Sequence, residues 1–255
     1  MWTKMIVVAA IGLTAAAAGA AGTAGPGAVA DFAVTVRGSY DLQWAMNQTG
    51  DCGIGTETAF LDGRSSQTIA YRTPRPVRVH TLWKTLTYHG KRYPWLVLED
   101  RWHGFKTSTD PRRSNIKFQI DVPAVFNRAV SGTYALCGGS PSTVSQAGCG
   151  KRRVPQFVVA LAQEIVSHGI GYQALTRFGD PYRGTCAFPD MEGAVRQDPP
   201  LMVTDLSGSL ACPSTARFFA AAIGRTLTCK EIPPKDYTVG GTQKQTQTVT
   251  FRRIR

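Results

Sequence analysis

From Phe32 to Trp44 the chain alternates. Phe32, Val34, Val36, Tyr40, Leu42 and Trp44 are apolar, Thr35, Arg37, Ser39, Asp41 and Gln43 are polar, and Gly38 falls between them. A period of two sustained over this run puts one face in a core and the other in water, which describes a strand and not a helix. Gly38 is expected to mark a bulge or bend in mid-run.

Further strands are predicted at short intervals. Thr58 to Leu61 and Thr68 to Arg72 flank a turn signal at Asp62-Gly63, and Val77 to Tyr88 and Arg92 to Asp100 flank His89-Gly90 as a long hairpin. Ile116, Phe118, Ile120 and Val122 alternate with Lys117, Gln119 and Asp121. Thr133 to Cys137 reads as a short strand and Gln247 to Arg253 as a closing one. The run Phe157 to Ile165 fits both helical and strand spacing. Gly169 and Gly171 follow closely, which favours strand. Ser214 to Ile223 is the helix candidate, with Ser214 as its cap. Short alternating runs punctuated by Gly and Pro predict a mainly β fold, an antiparallel sandwich-like domain or barrel carrying one short helix.

The N-terminus changes the compartment. Lys4 provides a positive start, an apolar stretch begins at Ile6 and continues through an alanine-rich run, and Ala28-Val29-Ala30 is a small-x-small cleavage pattern. This predicts a signal peptide over 1–30, cleaved before Asp31. The apolar part is too short and too rich in Gly and Ala for a comfortable membrane span. Removing residues 1–30 from the 255 leaves 225, which are read as a single mainly β extracellular domain. Asp198-Pro199-Pro200 is where any sub-domain break is expected.

All six cysteines, Cys52, Cys137, Cys149, Cys186, Cys212 and Cys229, follow that cut. An even count in an exported chain predicts three disulfides. There is no C-x-x-C pair and no His at ligand spacing from a Cys, so no metal and no cofactor are expected. Cys137 and Cys149, which flank a Gly/Ser/Pro-rich stretch, are the pairing that the spacing suggests.

Short segments spread over the same region carry a resemblance. Val34-Thr35-Val36-Arg37-Gly38-Ser39-Tyr40 followed by Trp44, Arg75-Pro76-Val77-Arg78-Val79, Gly148-Cys149-Gly150-Lys151, Cys212-Pro213 and Thr248-Val249-Thr250-Phe251 resemble a group of uncharacterised exported proteins of high-GC Gram-positive bacteria. The resemblance implies a secreted β protein and brings no activity. Cys186 and Cys229 are additions to the group's pattern, which implies that they pair with each other.

Charge and composition narrow the function classes. The net charge is +12, or +11 without Lys4, which favours association with polyanions such as anionic cell-wall polymers. No Gly-rich phosphate loop or dinucleotide motif is present, and no specific nucleic-acid partner is expected. Glu164 and His168 are four apart but lack the second histidine of a zinc helix. Ser207-Gly208-Ser209 lacks the glycines of a nucleophile elbow. Glu99-Asp100-Arg101-Trp102-His103 could serve acid–base chemistry, but local ion pairing at a strand end explains it as well, so no catalytic residue is assigned.

Between Trp83 and Lys106, aromatic residues interleave with cations. The candidate binding set is Lys91, Arg92, Arg101, Trp102 and His103, suited to stacking on sugar rings and pairing with anionic groups. The function expected is a binding module for an anionic glycan or cell-wall polymer. A secreted hydrolase whose carboxylates converge only in the fold is the first alternative, and a secreted inhibitor or protein-interaction module is the second.

Overall fold

β1 (Val29–Asp51) is the spine of the structure, because three other strands pair with it. The computed structural model describes residues 24–53, 58–99, 118–144, 148–163, 170–176, 180–182, 185–188, 205–232 and 241–255. The remaining strands are β2 (Thr58–Arg72), β3 (Val77–Tyr88), β4 (Lys91–Glu99), β5 (Phe118–Ala135), β6 (Ser142–Thr143), β7 (Gly150–Gln163), β8 (Ile170–Thr176), β9 (Asp205–Ala211), β10 (Thr226–Glu231) and β11 (Gly241–Arg253). One helix, α1 (Thr215–Ala220), lies between β9 and β10.

The described strands form one antiparallel sheet. β11 pairs with β1 from Phe32↔Arg253 to Trp44↔Gly241. β2 pairs with β1 from Arg37↔Arg72 to Asp51↔Thr58, and β3 pairs with it from Val29↔Leu82 to Val34↔Val77. Both overlap the β11 register, so β2 and β3 must share the opposite edge, one after the other. Thr73 bridges the break between them: its N–H donates to Val36 O at 2.9 Å and its Oγ1 accepts from Val36 N at 3.1 Å. The strand order continues from β2 through β5, β7, β8, β9 and β10 to β11, which returns to β1. The sheet therefore rolls into a ring of eight strands, β1, β2, β5, β7, β8, β9, β10 and β11, and closure pairs the two strands that would be the outer edges of an open sheet. The β3–β4 hairpin extends from the ring along the N-terminal part of β1.

Alternation decides what enters the ring. Phe32, Val34, Val36, Tyr40, Leu42 and Met46 of β1, Leu61 and Ile69 of β2, Ile120, Val122 and Phe126 of β5, Phe157, Val159 and Leu161 of β7, and Val249 and Phe251 of β11 are buried. Arg37, Ser39, Gln43 and Asn47 of β1 face outward and are exposed. The outer surface is polar there, unlike the apolar band of a lipid-facing barrel. No helix among the described residues is long and apolar enough to cross a membrane.

α1 covers one end. Ser214 caps it, accepting from Arg217 N at 3.4 Å. Phe218 reaches Phe32 and Phe251 at centroid distances of 5.6 and 5.1 Å, and Phe219 meets Trp83 at 5.5 Å. A helix this short has little intrinsic stability; its two buried rings anchor it.

The mainly β class, the antiparallel sheet, the disulfides and, among the described residues, one short helix agree with the sequence reading. Several details differ. The Asp62-Gly63 turn is absent, because β2 runs straight through it. Gly63 lies on the inner face, where an added Cβ would meet the Phe188 ring at 2.1 Å, so the glycine makes room for a ring and does not reverse the chain. Gly38 is likewise no bulge. The register passes it unbroken, and its missing Cβ leaves space for the ring of Tyr71. Thr133–Cys137 is not a separate strand; its first residues continue β5, whose register shifts once, around Pro123. His89-Gly90 does turn the hairpin, both residues having positive φ. Asp198-Pro199-Pro200 lies outside the described residues.

All six cysteines are paired: Cys52–Cys137, Cys149–Cys186 and Cys212–Cys229. The expected Cys137–Cys149 bridge is corrected by register. Cys52 and Cys137 follow the ends of β1 and β5, which flank β2 at the same end of the sheet. Cys149 precedes Gly150, which lies opposite Arg128 far back along β5, on the order of 20 Å from Cys137 at strand rise. The implied Cys186–Cys229 pair is also absent. Cys229 in β10 faces the residue that follows β9, which is Cys212.

Candidate functional site

The hairpin set is only partly in view. Lys91 and Arg92 open β4 and are exposed, while Arg101, Trp102 and His103 lie outside the described residues. Trp83 belongs to the core side through its contact with Phe219, and Tyr93 is half-buried. Of the interleaved pattern, the cations Lys84, Lys91 and Arg92 face solvent. Glu164 and His168 also lie outside the described residues. Among the described residues no group of three or more His, Cys, Asp or Glu is placed to hold a metal ion.

A groove of about 420 Å³ crosses the outer wall where β11 begins. Its outward-facing residues follow the registers Gln43↔Ser66, Ala45↔Arg64, Ser66↔Ala129, Arg64↔Ser131 and Gln43↔Thr242. Small side chains at Ala45, Ser66, Ala129 and Ser131 leave a depression between the longer Arg64 and Gln43. Trp44, Ser65 and Gly241 border it from the inner-facing positions. No described residue that lines the groove carries a carboxylate. The surface thus offers one guanidinium, one carboxamide and three outward hydroxyls. That inventory pairs with carboxylate, sulfate or phosphate oxygens and with sugar hydroxyls.

Two charged clusters have structural partners. Asp31 is buried at the start of β1, where Arg78 donates from Nε at 3.1 Å and from Nη2, and His80 donates from Nδ1. Burial would raise its carboxyl pKa, but the hydrogen bonds and charges of Arg78 and His80 outweigh that and hold it below the usual range. Asp31 also bonds through its backbone to Ile254 and Arg255. The cluster therefore ties β1 and β3 to the residues after β11.

Arg128 is the more unusual group, 1 % exposed at an inner position of β5. Nε and Nη2 donate to Gln67 Oε1 at 2.9 and 2.6 Å, and Nη1 donates to Asp180 Oδ2 at 3.2 Å and to Cys186 O at 3.4 Å. Its guanidinium lies 4.3 Å from the Tyr182 ring centroid. Asp180, Tyr182 and Cys186 meet the inner face of the ring at Arg128, and Phe188 meets it at Gly63. Cys149 holds Cys186 covalently, and Tyr182 Oη donates to Gly150 O at 2.6 Å.

Midway along the ring, Tyr71 lies across Gly38 and donates to Gln247 Oε1. Burial first, and then the negative charge of Glu231, push the Tyr71 phenol above its ordinary range. Burial, with a smaller contribution from Asp41, pushes Tyr40 up to about 12.

Arg64, Arg128 and Gln247 do not stand out as functional residues in the sequence alone. Their signal was present in part: Arg128 interrupts the apolar series Val122, Ala124, Phe126, Val130, and Gln247 precedes Val249 and Phe251 on one face. The fold and these sites define a closed antiparallel barrel with three disulfides and a polar groove on its wall. No protein-family model matches the chain, and no curated protein or solved structure matches it either.

Proposed function

We propose that this chain is an extracellular binding module for an anionic glycan or cell-wall polymer, and that the outer groove around Arg64 is where it binds. The observation that carries this reading is the groove's composition. Arg64 stands among Gln43, Ser66, Ser131 and Thr242, with no carboxylate among the described lining residues. A polymer can lie along such an open surface, its anionic groups on Arg64 and its hydroxyls on the amide and hydroxyl side chains. The net charge of +12 draws a polyanion to the whole surface, and Lys91 and Arg92 at the hairpin tip add to that attraction. Three disulfides fit an oxidising compartment outside the cell.

The test is binding of a uronate-containing polysaccharide, with a neutral glucan as control. Arg64→Glu should weaken binding about tenfold or more, equivalent to about 1.4 kcal/mol. Arg252→Glu, on an exposed part of β11, should weaken it far less. Equal losses from both variants would mean diffuse net charge and no site. Equal binding of the neutral glucan would remove the anionic part of the reading.

A further inference from the structure

The inner face of β11 carries three carboxamides in succession before it turns apolar at Val249 and Phe251. Gln243 is exposed, Gln245 is half-buried, and Gln247 is 2 % exposed. Side chains on one face of a strand stand about 7 Å apart every second residue, so the three form a polar column leading inward. Gln243 Nε2 donates to Gln245 Oε1 at 3.4 Å, and at the inner end Tyr71 Oη donates to Gln247 Oε1. Opposite them on β1 lie Leu42, Tyr40 and Gly38, each in register with one glutamine.

The column has hydrogen-bonding capacity left over at Gln247 and at Tyr40, which faces Gln245 one step outward. Gln247 Nε2 and Tyr40 Oη are both buried and find no hydrogen-bond partner among the described residues. Leaving a buried polar group unsatisfied is destabilising, and native proteins meet nearly all such groups with protein, water or ligand. Two features favour an exchangeable ligand over an enclosed water. Burial falls stepwise from Gln247 to Gln243, so the column reaches the surface. The pairing of β10 with β11 ends at Lys230↔Thr248, so beyond it no described strand covers the second edge of β11.

We propose that this column is a binding site for a small uncharged hydroxylated solute, a polyol or a single sugar ring. Its innermost hydroxyl accepts from Gln247 Nε2 and shares a hydrogen bond with Tyr40 Oη. Each carboxamide offers a donor and an acceptor to successive hydroxyls. The column itself is uncharged, and Glu231, whose charge acts on Tyr71, opposes an anion. The site is on the inner face of the wall and the Arg64 groove is on the outer, so the two readings stand or fall separately.

Glycerol and glucose are the probes, titrated against the oxidised protein by calorimetry and then soaked into crystals. Saturable binding is expected, with a probe hydroxyl at Gln247 Nε2. Tyr40→Phe keeps the ring and removes the unpartnered hydroxyl. It should leave the unliganded protein as stable or more stable while lowering affinity about tenfold. Gln247→Met should lower affinity at least as much, and Arg64→Ser should leave it unchanged. The proposal is overturned if neither probe binds the wild type, if Tyr40→Phe binds as well as wild type, or if only a lone water occupies Gln247 Nε2 in crystals soaked with the probe.

Discussion

Replacing Asp180 with alanine is expected to cost about 3–5 kcal/mol, the typical price of stranding one member of a buried ion pair. Arg128 is 1 % exposed, and Asp180 is its only carboxylate partner among the described residues. Without Asp180 the guanidinium keeps the Gln67 amide oxygen, the Cys186 carbonyl and the Tyr182 ring, none of which carries charge. At about 2–4 °C per kcal/mol for a chain of this size, the melting temperature should fall by roughly 6–20 °C. The sharper test is a cycle with Arg128→Met, which removes the charge and keeps much of the volume. Asp180 has a side chain 14 % exposed and can be reached by water when alone, so Arg128→Met should cost less than Asp180→Ala. Adding Arg128→Met to Asp180→Ala should recover stability, because the stranded charge disappears. Urea unfolding of the oxidised variants followed by tryptophan fluorescence gives the free energies, and unchanged slopes license the comparison. If the double variant is less stable than Asp180→Ala alone, stranded charge is not what destabilises the single variant.

Two further outcomes follow from named contacts. Gly63→Ala would put a Cβ at 2.1 Å from the Phe188 ring and should cost about 1–3 kcal/mol in thermal unfolding; replacing Phe188 with Leu in the same chain should return part of that loss. The Asp31 carboxyl has a folded pKa below its ordinary 3.8, so its stabilising contribution is present above that value and is lost as pH falls through the folded pKa. Asp31→Asn should therefore flatten the acid limb of the stability curve below about pH 3.8, and an unchanged limb would show that the Arg78–His80 cluster contributes nothing there.

The strands were legible wherever one face is wet. Phe32 to Trp44 declares itself by alternation, because water on one side enforces the period. Phe157 to Leu161 reads ambiguously because Val158 and Ala160 are buried as well as Phe157, Val159 and Leu161, and burial on both faces erases the pattern. Gly38 and Gly63 depart from their sequence expectation for a common reason. A glycine that admits a ring from elsewhere in the chain has the same local sequence as one that turns or bulges. Cysteine pairing was illegible because it depends on which strand ends share a side of the sheet, and only register fixes that. The groove escaped notice because its residues come from β1, β2, β5 and β11, and a depression made of Ala and Ser leaves no mark in composition. Lys91 and Arg92 stood out by clustering along the chain, whereas Arg64 is brought to Ser131 only by strand pairing.

The pairing of β1 with β11 also bears on how the chain folds. Thr35 and Thr250, 215 positions apart, touch through their hydroxyls across this seam. A contact of that span costs much chain entropy before it returns any energy, and folds dominated by such contacts form slowly. Until β11 arrives, β1 has one open edge, and the inner face that will hold Phe251 against Phe32 stays wet. The C-terminal strand therefore acts as a latch. A chain shortened by β11 would present a long unpaired strand edge, the geometry from which chains pair with one another and aggregate.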